Sequence, residues 1–392
     1  MTFASNNTNY GTVSTSSYIV PKGATYTTSG MTLTINDGRK VTATVKNVTG
    51  YTTKLSSWSP SSGTVNAATK VTANFSRSTN TYTIAFNNNG GSGTMASMSM
   101  TYGTAKNLTS NTFTRSGYTF FGWSTNKDAT TATYTNGQSV NNLSSTNGAT
   151  VTLYALWKKT VTITYNANNG SGAPSASSGT LYNAQASVSI TLSSTKPSRT
   201  GYTFNGWSTS STATSASYQP GTAYSFSDST TLYAVWGRNS YTLTVNPNGG
   251  KYNNTTSNTP ITGGYNTTTT IANPTPPSGY TVTFNANSGS VSPTSKTSTK
   301  SFSSWSLSGS GSLSGTTYTF GAGNGTLTAN YTNNSITLPT PTRAGYHCTG
   351  WNTSGGTKRG DAGGSYTPTQ SETLYAQWAA NTYTIKFNGN GA

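Results

Sequence analysis

The sequence predicts a mainly β protein, built as a tandem, elongated array of small modules, and three observations carry that expectation. Runs such as Tyr82-Thr-Ile-Ala-Phe86 and Tyr241-Thr-Leu-Thr-Val245 alternate polar with apolar side chains, the period of a strand with one buried face. Helix formers are scarce, whereas β-branched and aromatic residues are plentiful, which favours pleated structure. The 25 Tyr, 12 Phe and 8 Trp recur at regular places, while a disordered chain of this polarity would be poor in rings. Many small cores follow from that spacing. The length of 392 residues agrees with this, allowing about two to four domains of ordinary size.

From the N-terminus, residues 1–78 form a divergent first repeat marked by Gly50-Tyr51, Trp58 and Ala73-Asn-Phe75. Residues 79–158 carry Thr81-Tyr-Thr-Ile-Ala-Phe-Asn-Asn-Asn-Gly-Gly91, then Thr114-Arg-Ser-Gly-Tyr-Thr-Phe-Phe-Gly-Trp123, and close with Leu153-Tyr-Ala-Leu-Trp157. Residues 159–237 repeat this almost end to end, through Val161-Thr-Ile-Thr-Tyr-Asn-Ala-Asn-Asn-Gly170, Ser198-Arg-Thr-Gly-Tyr-Thr-Phe-Asn-Gly-Trp207 and Leu232-Tyr-Ala-Val-Trp236. Trp123 and Trp207 lie 84 positions apart, and Trp157 and Trp236 lie 79 apart, so the period is about 80 residues, the size of a small domain. Residues 238–331 read as an elongated copy that opens at Tyr241, passes Gly279-Tyr280 and Trp305, and ends at Ala329-Asn-Tyr331. Residues 332–379 read as a shortened copy with Thr342-Arg-Ala-Gly-Tyr346, Gly350-Trp351 and Leu374-Tyr-Ala-Gln-Trp378. Residues 380–392 open the first strand of a further copy. A module cut there cannot bury that strand, so the sequence is expected to continue in a longer protein.

All eight Trp fall on two motif positions: Trp58, Trp123, Trp207, Trp305 and Trp351 after Gly or Ser, and Trp157, Trp236 and Trp378 at module ends. Phe75 and Tyr331 stand at the other two ends, and Tyr118, Tyr202 and Tyr346 follow the recurring glycine. These residues are the predicted structural core. A module of this size buries only about 60% of its unfolded surface, so a few large rings dominate its stability. The competing use, as sugar-stacking platforms, does not require a ring at the end of an apolar strand once per module. Asn89-Gly90, Asn169-Gly170 and Asn248-Gly249 suit hairpin turns with positive φ. No Gly-Lys-Ser/Thr follows them, so they are not phosphate cradles. Arg115, Arg199 and Arg343 recur two positions before the Gly-Tyr pair, where a cation held on the neighbouring ring is the expected role and a ligand-binding ladder the competing one.

On these motifs the sequence resembles the internalin-type B repeat, also called the Listeria–Bacteroides repeat, and related bacterial surface modules. Residues 80–157 and 159–236 match its pattern throughout; residues 1–78 and 239–378 resemble divergent forms, with the Gly before Trp58 and Trp305 missing. The resemblance implies β-grasp-like modules in tandem on bacterial cell-surface proteins and some phage proteins, serving spacing and adhesion. It brings no catalytic residues.

The 22 basic against 5 acidic residues give a net charge of +17, which favours anionic neighbours. Lys and Arg are nevertheless scattered singly, the densest cluster being Lys158-Lys159, unlike the basic face of a specific nucleic-acid reader. A diffuse, solubilising charge with non-specific attraction to polyanions is expected.

Catalysis has little to work with. Asp37, Asp128 and Asp228 sit one to a module, and only Asp361 and Glu372 share one, whereas glycoside hydrolysis needs two carboxylates within about 5–10 Å. His347 and Cys348 are neighbours, so on a strand they face opposite sides and cannot act as base and nucleophile; Cys348 is expected as a small core substitute and His347 at the surface. The single cysteine excludes an internal disulfide. So few carboxylates disfavour calcium, and no cofactor or metal is expected. Apolar runs fall far short of the roughly 20 residues of a membrane span, and the N-terminus lacks a signal-peptide pattern.

The expected function is therefore non-enzymatic: an extracellular, cell-surface stalk or adhesin array. Its partners would be neighbouring repeats, with host-surface glycans or anionic cell-wall polymers as candidates. A virion decoration or fibre protein and a carbohydrate- or polyanion-binding module are the alternatives.

Overall fold

The computed structural model describes residues 1–389 and 391. Among them every regular element is a strand, and no helix is long and apolar enough to cross a membrane. The chain forms two compact units: Met1–Thr164 with Ser175–Ser193 and Gly221–Thr231, and Tyr165–Pro174 with Ser194–Pro220 and Leu232–Ala392.

In the first unit, the N-terminal repeat pairs Thr2–Ser5 in parallel with Lys70–Thr79, which pairs antiparallel with Tyr51–Ser59. A second sheet runs in the order Gly11–Val13, Lys40–Val45, Thr32–Ile35, Thr25–Ser29, Ser62–Thr64. Leu33, Val41, Val71, Trp58 and Phe75 fill the space between them.

The next repeat shows the common plan. Strand Thr81–Asn87 pairs antiparallel with Met98–Thr101 and parallel with the start of Thr150–Asn166, whose far side carries Thr119–Ser124 antiparallel. The spatial order is second, first, last, third, with first and last parallel, as in a β-grasp sheet. A parallel pair needs a long crossover, usually a helix; here a two-stranded ribbon of Lys106–Asn107 and Ser139–Val140 lies in that crossover instead. Alternate residues Tyr82, Ile84, Met98 and Met100 face inward onto Trp123, Leu153 and Trp157, as the period of two requires.

Strand Thr150–Asn166 runs from this repeat straight into the next, and its residues 158–163 pair with Ser177–Tyr182. The following repeat is divided between the units. Val188–Thr191 and Ala223–Phe226 pair in the first; in the second, Tyr202–Ser208 pairs with residues 233–238.

The region beyond 238 corrects the expected boundaries. Strand Ser240–Asn246 pairs with Thr259–Gly264 and, in parallel, with Gly325–Asn333, which pairs with Lys300–Gly309. The hairpin of Thr281–Asn285 and Ser295–Thr297 belongs to another sheet: Thr281–Asn285 runs parallel to Glu372–Ala380, which pairs with Tyr346–Asn352. Neither an elongated repeat 238–331 nor a shortened repeat 332–379 exists. One repeat is 239–278 with 299–334, and the other is 279–298 with 335–381, so the two are interleaved. The apolar faces decide this: Leu243 and Val245 bury with Tyr318, Phe320 and Leu327, whereas Val282 and Phe284 bury with Trp351, Leu374 and Ala376. Gly279-Tyr280 therefore opens a first strand and is not the Gly-Tyr pair of an elongated copy.

Candidate functional site

The features that recur in space gather at one end of the repeats beyond residue 79, around two turns. The first follows the first strand. Asn89-Gly90, Asn168-Asn169, Asn248-Gly249 and Asn287-Ser288 hold the paired positive φ values of the hairpin turn, which Asn and Gly adopt at least cost. In the 159–237 repeat this corrects the expected Asn169-Gly170 turn by one position. The Asn side chains close a clasp. Asn89 Nδ2 donates to the Ala155 carbonyl at 3.0 Å, Asn168 to Ala234 at 2.9 Å, Asn248 to Ala329 at 3.0 Å and Asn287 to Ala376 at 3.1 Å. The backbone N–H of each donates to the Asn two residues earlier, at 2.8–2.9 Å.

The module-end ring completes the clasp from the other side. Nε1 of Trp157 donates to the Asn88 carbonyl at 2.8 Å, Trp236 to Ala167 at 3.0 Å and Trp378 to Ala286 at 2.9 Å. Tyr331 replaces Trp and its hydroxyl reaches the equivalent Pro247 carbonyl at 2.7 Å. The glycine after the turn is fixed by this ring. A Cβ on Gly91, Gly170, Gly250 or Gly289 would lie 2.2–2.9 Å from the aromatic side chain and 2.4–2.7 Å from a backbone carbonyl of the facing segment.

The Gly of the Gly-Trp motif answers a different need. Gly122, Gly206 and Gly350 sit at bulges with φ of +145°, +129° and +144°, and the carbonyl of Tyr134, Tyr218 or Gly360 crosses where a Cβ would stand. Ser57 and Ser304 hold the corresponding bulges before Trp58 and Trp305.

The second turn carries the recurring arginine. Arg115–Tyr118, Arg199–Tyr202 and Arg343–Tyr346 are four-residue turns closed by a 3.1 Å bond from the Tyr N–H to the Arg carbonyl, with Gly117, Gly201 and Gly345 at φ of +74° to +76°. The glycine thus supplies the third position of a type II turn. Each guanidinium lies over the tyrosine ring, 4.0, 3.9 and 3.9 Å from its centroid. Beside this turn and the Asn turn, a cleft of about 490 Å³ opens at Ser171, Ser198 and Arg199, and one of about 460 Å³ at Ser290, Thr342 and Arg343.

The structure places the predicted core residues unevenly. Trp58, Phe75, Trp123, Trp157, Trp207 and Trp351 are buried; Tyr118, Tyr202, Trp236, Tyr331 and Trp378 are half-buried at the clasp or turn, and Trp305 is half-buried against the core of its repeat. Tyr346 is exposed, which corrects its assignment to the core: its ring serves as the platform for Arg343. His347 is exposed and meets Asn381 through Nδ1 at 3.0 Å, and Cys348 is half-buried. Among the described residues no three His, Cys, Asp or Glu gather as a metal site. Each of the five acidic residues has a separate cation: Asp37 with Arg39, Asp128 with Lys127, Asp228 with Lys159, Asp361 with Lys358, and Glu372 with Arg359.

Residues 82–156, 162–235 and 315–377, just over half of the chain, match the Listeria-Bacteroides repeat domain. The chain belongs to the Listeria-Bacteroides repeat family. The third match begins inside one interleaved repeat and ends in the other, as a linear profile must when the first strand, Thr281–Asn285, lies upstream of it. A second similarity covers 139 residues at 32% identity with a protein of Evansella cellulosilytica named as a putative Gly-rich membrane protein; the match takes in 35% of this chain and 16% of that relative. Within this chain, the elements that recur are the Asn clasp, the module-end ring and the arginine turn.

Proposed function

We propose that this chain is a non-enzymatic, extracellular repeat protein that serves as a spacer or stalk at a cell surface. Family membership supports a surface repeat protein. The observation that carries the finer reading is how the repeats are joined. Between the first two repeats, Thr79 and Thr81 belong to successive strands and only Asn80 separates them. Asn80 is buried; its N–H donates to the Gly50 carbonyl at 2.9 Å and its Nδ2 to the Ser145 carbonyl at 2.7 Å. Tyr102 of the second repeat packs directly on Gly50 of the first, where a Cβ would lie 2.0 Å from its ring. In the second unit the same parts recur: Asn239 donates to the Gly201 carbonyl at 3.0 Å and Tyr265 covers Gly201. Where the strand Thr150–Asn166 runs through, the buried Asn183 grips Trp157 from both sides, receiving its N–H at 3.0 Å and donating to its carbonyl at 2.8 Å.

Such joints suit transmission of force, since ordered junctions resist bending where Gly/Ser-rich linkers would not. The separate pairing of every carboxylate also supports a role without acid–base chemistry. Stretching the full chain from its ends tests the reading. Separate unfolding events are expected, each releasing chain worth roughly 250–300 Å for about 80 residues at full extension, with a longer release where the two interleaved repeats open together; extension without such resistance overturns it.

A further inference from the structure

We infer that Arg115, Arg199 and Arg343 each form, with two adjacent hydroxyls, an anion site that takes carboxylate or sulfate groups of an acidic polysaccharide. The inference goes beyond the spacer reading, which requires no ligand. Two observations meet at the same place in three repeats, and a third joins them in two of the three.

The first is a guanidinium that is positioned but not neutralised. Stacking on Tyr118, Tyr202 and Tyr346 at 3.9–4.0 Å restrains the face of the guanidinium and leaves its N–H edge for a partner. All five carboxylates are committed to other cations, and Nη1 of Arg115 is buried with no hydrogen-bond partner. A planar fork held by one face is suited to a two-oxygen anion.

The second is the pair of hydroxyls beside each arginine. Ser92 and Thr114, Ser171 and Ser198, and Ser290 and Thr342 are bridged backbone to backbone, with N–H to carbonyl distances of 2.7–3.1 Å. The arginine immediately follows the second member of each pair. Ser171 Oγ and Ser198 Oγ lie 3.2 Å apart, and all six residues are exposed. The other two repeats lack the site: that of 239–278 with 299–334 has the bridge, Lys251 with Thr275, but Pro276 in place of the arginine, and the N-terminal repeat closes the corresponding turn from Tyr51 to Val48.

The third is room. The clefts of about 490 and 460 Å³ beside Arg199 and Arg343 can admit a sugar unit at the low end of ligand-pocket sizes. A single weak site is poor equipment for a small anion, but a polymer with repeated charges engages several at once and gains by effective concentration. The tyrosine faces are already covered by the guanidinium groups, which removes the platforms on which single-stranded nucleic acid would stack.

The test separates a built fork from the diffuse charge that the sequence alone suggests. The triple variant R115K/R199K/R343K keeps the net charge and a cation beside each tyrosine but loses the fork. Its binding to dextran sulfate and to polygalacturonate, measured by salt elution and by titration, is expected to weaken on the order of tenfold or more, as lost multivalency implies. The control K70Q/K106Q/K196Q, which removes three charges elsewhere, is expected to change binding less. Preference between the two polymers tells sulfate from carboxylate, and neutral dextran should not bind. Equal retention of the triple variant and the wild type overturns the proposal, as does tighter binding to oligo-dT than to either polysaccharide. Should the triple variant melt early, the wild type answers directly: bound dextran sulfate should protect Arg115, Arg199 and Arg343 from dicarbonyl labelling read by mass spectrometry, and uniform protection of all arginines overturns the site.

Discussion

The repeat at 79–158 and the interleaved repeat made of 279–298 with 335–381 reach the same structure from different chain orders. In both, the first strand runs parallel to the last and the Gly-Trp strand flanks it. The clasp is superimposable in its bonds: Asn89 to Ala155 at 3.0 Å and Asn287 to Ala376 at 3.1 Å, Trp157 to Asn88 at 2.8 Å and Trp378 to Ala286 at 2.9 Å. In one repeat the connection is continuous; in the other, residues 299–334 of a different repeat intervene. Matched apolar faces and the clasp therefore specify the module, while chain order is negotiable. Loop-closure entropy makes this affordable, because each doubling of a loop adds only about 0.6 kcal/mol, less than one good buried contact.

The comparison is broken most severely by cutting the chain at the boundary that the linear repeats suggest. A fragment of residues 332–379 lacks Thr281–Asn285, whose Val282 and Phe284 are part of its core, and it should be unfolded by circular dichroism. A fragment of residues 239–381 retains both interleaved repeats and should fold and melt cooperatively. A folded 332–379 fragment would refute the interleaving.

The next largest effect separates the two regions by the extent of damage. Trp123 and Trp351 are both fully buried, and replacing either by Ala should cost about 3–5 kcal/mol, comparable to the stability of a small module. Trp123→Ala should open the amides of residues 79–158 to hydrogen exchange and leave the second unit protected. Trp351→Ala should open residues 239–381 together, since neither interleaved repeat can close without the other. Exchange confined to 335–381 would show the two to be independent.

What the sequence revealed follows from what is periodic in it. Strand alternation and the two Trp positions are one-dimensional signals, and they sufficed for an all-β array and its family. The interleaving is invisible to such a reading, because Tyr280-Thr-Val-Thr-Phe284 sits where an elongated copy would place its own Gly-Tyr pair. The Asn clasp is written in the sequence as Asn87-Asn-Asn89, Asn166-Ala-Asn168, Asn246-Pro-Asn248 and Asn285-Ala-Asn287, a spacing that the more familiar Asn-Gly turn signal overlies. Tyr346 recurs with Tyr118 and Tyr202 after the motif glycine and so reads as core, whereas the structure leaves its ring exposed beneath Arg343.

A smaller effect tests whether the clasp is equivalent in both regions. On Gly91 a Cβ would lie 2.7 Å from the Thr114 carbonyl and 2.9 Å from Trp157, and on Gly289 2.6 Å from the Thr342 carbonyl and 2.7 Å from Trp378. Neither glycine has positive φ, so the cost of Ala is steric alone, about 1–3 kcal/mol as for other overpacking. Denaturant midpoints should fall by similar amounts for Gly91→Ala and Gly289→Ala. A neutral result at one site would mean that its ring can withdraw and that the two clasps differ.

The smallest effect concerns a cluster described only in the interleaved repeat, where Tyr366 donates its hydroxyl to Glu372 and Arg359 donates to the same carboxylate at 3.2 Å. Burial, then the bond to Glu372 and its negative charge, push Tyr366 up from the ordinary 10.0 to about 12, with Arg359 pulling the other way. Because the folded value is raised, the neutral hydroxyl is favoured in the native state. Its contribution is fully present below pH 10 and is lost as pH rises through about 12. The hydroxyl is partly exposed, so solvent screening keeps the effect small. Between pH 9 and pH 11.5 the fragment 239–381 should therefore lose more stability than its Tyr366→Phe variant, the difference isolating this tyrosine from the others that ionise in the same range. Identical alkaline slopes in the two proteins would show that the Glu372 contact does not hold the proton in solution.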